Sequence, residues 1–151
     1  MPYKKIVKTL PFQPQEIYNM VINVEQYPCF VPHCAAVNIH EASISRIMAE
    51  MIIEYHTVIK NFRISYISNI ELHPENYTVL ITNANDRFFK KLESSWKIKP
   101  CIEGSEITYE IAFELQNPVL NLTLSSLILK NSEIMIAAFT KRAFNLLKEI
   151  S

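Results

Sequence analysis

The first side chains that could do chemistry are Cys29, His33 and Cys34, with His40 nearby, since thiolate and imidazole are the ligands zinc prefers. A second cysteine or histidine pair at zinc-site spacing is missing, and Pro28 and Pro32 stiffen the segment. Packed cysteines and a surface histidine therefore outweigh a metal centre, and no metal site is expected. Nucleophilic catalysis has no better footing. There is no Gly-x-Ser-x-Gly elbow, and His33, His40, His56 and His73 fall in strand ends or turns with nothing to single one out. Glu50, Glu54, Glu110 and Glu114 could pair as acid and base, but their phase puts them opposite the apolar face, where solvated sheet surface is the stronger reading. One glycine, Gly104, excludes glycine-rich phosphate loops. No catalytic residue is assigned; Tyr66 and Tyr109 are the only side chains named for a cyclising or dehydrating enzyme.

A basic cluster remains. Arg87, Lys90, Lys91, Lys97 and Lys99 surround Phe88 and Phe89. Such a segment can meet RNA or an anionic membrane surface, though a sheet edge protected by lysine is commoner. Lys90 is in phase with Leu92 and Trp96, which aims it at the mouth of any pocket on that face.

The elements that must position these residues follow from periodicity. With 151 residues, a 49% apolar composition and zero formal net charge, the chain reads as one globular domain, 1–151, able to bury roughly 70% of its unfolded surface. The charge balance argues against bulk nucleic-acid binding, and no DNA partner is expected. Three cysteines and an N-terminus without an apolar signal core predict reduced thiols in a cytoplasmic, bacterial setting. No run reaches ~18 apolar residues, so no transmembrane helix is expected; the best candidate, Leu120 to Leu129, is interrupted by Asn121, Thr123, Ser125 and Ser126.

Residues 3–10 suit a strand and Pro14 to Asn23 a helix, with proline early and Glu16 in its first turn. Residues 27–34 suit a compact turn or short helix between two prolines. Period-two patterning then runs from Ala36 to Leu115 through six strands joined by short turns, a meander with one apolar face. Finally, residues 119–150 read as one long amphipathic helix or two helices nearly end to end, with Asn117 and Pro118 at the start. Around Phe139, its apolar face collects Ile128, Met135, Ile136, Ala143, Leu146, Leu147 and Ile150. Ile134, Ala137 and Phe144 point outward. This is an α+β domain in which a curved sheet wraps one helix.

The space between helix and sheet would be lined by Met51, Ile53, Phe62, Ile64, Tyr66, Val79, Ile81, Trp96, Tyr109, Ile111 and Phe113, with Ile128, Met135 and Phe139 from the helix. That composition suits a large apolar ligand held by shape and a few hydrogen bonds. It suits a filled core equally well.

Two motifs break the tie. Tyr27-Pro-x-Phe-Val-Pro-x-Cys34 after a helix, and Phe89-Lys90-Lys91-Leu92 followed by Trp96-Lys97-Ile98, resemble signatures of the coenzyme Q-binding START-like family. That family lies in the polyketide cyclase/dehydrase superfamily and also contains the ribosome-association toxin RatA. Element order and length match over essentially the whole chain. Departures are Glu93-Ser94-Ser95, where small residues including glycine are common, and Asp86-Arg87, where a Gly-Pro-like turn is common.

The resemblance implies a helix-grip (START-like/SRPBCC) fold of about seven antiparallel strands, with two short helices after the first strand. It also implies non-enzymatic binding of ubiquinone or a related isoprenoid lipid, with no obligatory cofactor, in support of respiration. The headgroup would sit at the mouth near Tyr27, Phe30, Val31, Pro32, Phe89, Lys90 and Leu92. Expected partners are the hydrophobic small molecule, with peripheral contact to the inner membrane or the large ribosomal subunit. A RatA-like translation inhibitor is the alternative, and a cyclase or dehydrase a distant third.

Overall fold

The computed structural model describes residues 1–56, 58, 60–84 and 86–150. Seven strands form one antiparallel sheet: β1 (Tyr3–Leu10), β2 (Cys34–Ala42), β3 (Arg46–His56), β4 (Asn61–His73), β5 (Thr78–Asn83), β6 (Phe89–Cys101) and β7 (Gly104–Leu115). Their spatial order is β1-β7-β6-β5-β4-β3-β2. The last six are thus a continuous meander, and β1 closes beside β7. Between β1 and β2 lie α1 (Pro14–Ile22), a 3₁₀ turn (Val24–Gln26) and the single-turn α2 (Tyr27–Phe30); α3 (Pro118–Leu146) ends the fold. This is the expected helix-grip architecture.

The start of α3 is fixed by local chemistry. The Asn117 side chain accepts hydrogen bonds from the Val119 and Leu120 amides, at 2.9 and 3.3 Å, and Pro118 occupies the first turn, where no amide is needed. Gln116 N–H donates to the Phe88 carbonyl (2.9 Å), and Leu115 N–H donates to Asn121 Oδ1 (3.1 Å). These bonds fasten the helix start to the ends of β6 and β7. Midway along the helix, Glu133 is held by Lys4 of β1 in an ion pair.

Two expectations need correction. Helix α3 stops at Leu146, and Leu147 is already extended; Leu146 is 60% exposed and Ile150 lies beyond the helix, also exposed. The helical stripe was carried past the point where the chain leaves the sheet. Helix α3 is long and apolar enough to cross a membrane by length and composition alone, a test that a core helix also passes, and its apolar stripe here packs on the sheet. Lys90 points outward, 63% exposed and 3.9 Å from Glu114. A register shift between Phe89 and Lys91 inserts an extra residue, so Phe89 and Leu92 both face inward and Lys90 leaves the apolar phase.

Gly104 sits in the β6–β7 turn at a φ of +139°, where a Cβ would lie 2.6 Å from the Leu10 carbonyl oxygen and 2.8 Å from Phe12 N. The position demands glycine on two counts. Beside it, Ser105 is fully buried and donates to the Phe12 carbonyl (2.6 Å).

Candidate functional site

The concave face of the sheet and α3 do not meet evenly. Toward its C-terminal end the helix presents Ile136, Phe139 and Ala143, all buried. Phe139 stacks at 4.8 Å on Trp96, 5.3 Å on Tyr27 and 4.9 Å on Phe30. Arg142 covers the outer face of Phe30 at 4.9 Å, a favourable cation–aromatic contact. Only about 10 Å³ is left between Leu10, Ile17, Trp96 and Phe139, no more than the space of a single water.

Farther toward the helix start, the gap opens into a cavity of about 130 Å³. Strands β3 to β7 supply Met51, Ile53, Tyr55, Ile64, Tyr66, Ser68, Ile70, Val79, Ile81, Phe89, Leu92, Ser94, Trp96, Tyr109 and Ile111. Val21 and Val24 come from α1 and the 3₁₀ turn. Tyr27, Val31, Pro32 and Cys34 come from α2 and the turn that follows it. Phe88 precedes β6, and Ile128, Asn131, Ser132 and Met135 come from α3. Lining this space together are the expected Tyr27, Val31, Pro32, Met51, Ile53, Ile64, Tyr66, Val79, Ile81, Phe89, Leu92, Trp96, Tyr109, Ile111, Ile128 and Met135.

Five expected site residues stand elsewhere. Phe113 is fully buried in the core behind Phe89. Phe139 and Phe30 belong to the sealed aromatic cluster, and Phe62 lies near the start of β4 under the Lys60 ammonium. Lys90 faces solvent for the reason given above. Apolar phase identifies the concave face, but it does not say where along a strand the cavity ends. The residues missed are Val21, Val24, Cys34, Ile70 and Phe88, and the polar Tyr55, Ser68, Ser94, Asn131 and Ser132. Their signal was present, since Ser68 and Ser94 share the inward phase of Tyr66 and Trp96. Ser132 sits one turn from both Ile128 and Ile136.

The cavity is electrostatically neutral. Among the described residues no Lys, Arg, His, Asp or Glu lines it. Its titratable groups are phenols and a thiol, and burial keeps them protonated. Burial, with smaller contributions from neighbouring phenols and the Cys34 thiol, pushes Tyr27 and Tyr66 far above the usual phenol range. It pushes Tyr55 up to about 12 and the Cys34 thiol up to about 11. Tyr109 is also raised by burial, against the opposing pull of the neighbouring Ser94 and Ser132 hydroxyls.

Tyr27 donates to the Val21 carbonyl, so its hydroxyl holds α2 to α1. The turn after α2 is pinned to β3: Glu54 N–H donates to the His33 carbonyl at 2.8 Å, and the His33 ring bonds Glu54 O at 3.0 Å. His33 adopts a φ of 69° there. The motif from Tyr27 to Cys34 thus forms one wall of the cavity. On the other side, Asp86 Oδ1 accepts from the Phe88 and Phe89 amides, at 2.9 and 2.6 Å. Asn83 bridges the Phe89 carbonyl and the Leu92 amide, at 3.2 and 2.8 Å. Asp86 and Asn83 therefore shape the turn by side-chain bonds in place of glycine.

No group of three or more metal-ligating side chains occurs among the described residues. On the outer face, two lysines of β6 are met by acids of β7. Lys91 is in register with Glu114 and Lys99 with Glu106, while Lys5 of β1 is in register with Glu110.

A model of the family described as polyketide cyclase/dehydrase and lipid transport matches residues 10–140. The ribosome association toxin RatA of Rickettsia prowazekii is 30% identical, covering 93% of this chain and 95% of its own. The mitochondrial coenzyme Q-binding protein COQ10 homolog B of Xenopus laevis is 27% identical, covering 90% of this chain and 55% of its own. Among solved structures, the ZhuI aromatase/cyclase from Streptomyces sp. R1128 has the same fold, with a TM-score of 0.82. The match covers 95% of this chain and 93% of that one, at 11% identity.

Proposed function

We propose that this chain, which belongs to the polyketide cyclase/dehydrase and lipid transport family, is a non-enzymatic binding protein for ubiquinone or a similar neutral isoprenoid lipid. The observation that carries this reading is the cavity itself: about 130 Å³, walled by aliphatic and aromatic side chains, with a few hydroxyls and one amide. Among the described residues no acid–base pair or activated nucleophile faces it, which supports holding a ligand over transforming one. The similarity to a coenzyme Q-binding protein points the same way.

A cavity of this size matches one six-membered ring; an apolar cavity of about 150 Å³ takes up benzene. A polyprenyl tail would need more room, so the tail leaves through the rim or the rim opens when it enters. The test is organic extraction of the purified protein with mass spectrometry of the extract, followed by thermal unfolding with added short-chain ubiquinone. A co-extracted quinone or isoprenoid and a concentration-dependent rise in Tm are expected. An extract free of such lipids, together with an unchanged Tm, overturns the reading.

A second reading, association with the ribosome, is favoured by the RatA relatives, from Rickettsia prowazekii and, at 27% identity, Escherichia coli. Its candidate surface is Arg87, Lys90 and Lys91, which are exposed. The acids facing these lysines, Glu93 and Glu114, weaken the case for a phosphate-binding stripe. Co-sedimentation with large ribosomal subunits that disappears with salt and with Lys90→Glu/Lys91→Glu supports it; no association at low salt removes it.

A further inference from the structure

Four of the cavity's polar side chains come from β6, β7 and α3. Tyr109 of β7, Ser94 of β6 and Ser132 of α3 all line it, and Ser94 Oγ is buried with no hydrogen-bond partner among the described residues. Asn131, the next residue on α3, has its Oδ1 buried with no hydrogen-bond partner among the described residues, and it lines the same cavity. A buried amide oxygen left unpaired is costly, and native folds rarely leave one so. Four polar groups on these elements, two of them unsatisfied, make a recognition point for a polar ligand atom.

Its chemistry is restricted. A carboxylate or phosphate brought inside would meet no cation, because no Lys, Arg or His lines the cavity among the described residues. An unpaired buried charge is far more expensive than an unpaired dipole. An uncharged carbonyl or hydroxyl has what it needs, since hydroxyls and the amide can each donate or accept.

We infer that the cavity takes its ligand head first: an uncharged ring bearing carbonyl or hydroxyl oxygens binds at Asn131, Tyr109 and Ser94, and the site rejects acids of the same size and apolarity. This rests on the lipid-binding reading above and adds orientation and charge selectivity to it. It also moves the head from the expected mouth near Lys90 to the interior, against α3.

The test compares three probes with one decyl chain each: a decyl-substituted ubiquinone, 4-decylbenzoate and decylbenzene, titrated at pH 7.5 into the wild type, Asn131→Leu and Tyr109→Phe. Wild type should bind the quinone about tenfold or more tighter than either other probe, the worth of roughly one hydrogen bond to a buried group. Each variant should lose most of that preference while binding decylbenzene as well as wild type does. Unchanged decylbenzene affinity shows that the cavity has kept its shape. Equal binding of all three probes by the wild type, or a quinone preference that survives both substitutions, overturns the inference and leaves lipid binding intact; the polar groups then serve trapped water. Failure of every probe to bind, decylbenzene included, overturns the lipid-binding reading and the inference together.

Discussion

The two halves of α3 lie on the same sheet and do different work. Under the C-terminal half, Phe139 fills the space between Trp96, Tyr27 and Phe30 and leaves about 10 Å³ nearby. Under the N-terminal half, Ile128, Asn131 and Ser132 line about 130 Å³. Side-chain size explains the difference. A phenylalanine reaches the sheet, while serine and asparagine do not, and the sheet opposite them also carries a small residue, Ser94. The outer surface of that half is apolar as well, with Leu122 84% exposed. One helix is therefore a structural spine toward its C-terminal end and a cavity wall along its middle.

The contrast can be broken most forcefully at Phe139. Phe139→Ala removes the centre of an aromatic cluster and should cost about 3–5 kcal/mol, read by urea unfolding. Added bulk should separate the halves next. Ala143, fully buried, has no room to grow, so Ala143→Leu should lose about 1–3 kcal/mol. Ile128→Phe grows into existing space, so it should lose under about 1.5 kcal/mol while abolishing ligand binding, as titration of a short-chain quinone would show. Equal stability losses at the two positions would mean that the cavity is not soft.

Alkaline titration gives a smaller, distinctive effect. Burial raises the Cys34 thiol from 9.0 to about 11. Deprotonation is therefore easier in the unfolded chain, and folding holds the proton longer. The Cys34 contribution is complete below pH 9 and is lost as pH rises from there through about 11. Cys34→Ala should flatten the fall in stability across that interval in pH-dependent unfolding. The smallest expected effect is at Lys90. Lys90→Glu removes an exposed pair with Glu114 and should change stability by about 0.5 kcal/mol or less, leaving quinone affinity unchanged. A large loss of affinity there would return the headgroup to the mouth.

Much of this was legible in the sequence, because a sheet with one wet face writes its strands in alternation. The six-strand meander, the helix start at Asn117–Pro118 and the concave face could all be read that way. What escaped depends on small offsets in three dimensions. A single extra residue at Phe89–Lys91 turned Lys90 outward. The end of α3 could not be placed by a stripe that continues in phase to Ile150. Period two marked Phe62 and Phe113 as inward, yet only packing along each strand decides whether an inward residue meets a cavity or a neighbour. Ser94 and Ser132 were in phase and still overlooked, because apolar patterning gives no weight to an inward serine.

The most direct test of the account uses the protein's one tryptophan. Trp96 lies between the sealed half and the cavity: its ring packs on Phe139, and it lines the open space. A short-chain ubiquinone titrated against Trp96 fluorescence should give saturable quenching, which Ile128→Phe abolishes while the fold is retained. Quenching that rises linearly without saturation, as for free tryptophan in solution, or saturable quenching that Ile128→Phe leaves untouched, would contradict a ligand cavity beneath the N-terminal half of α3.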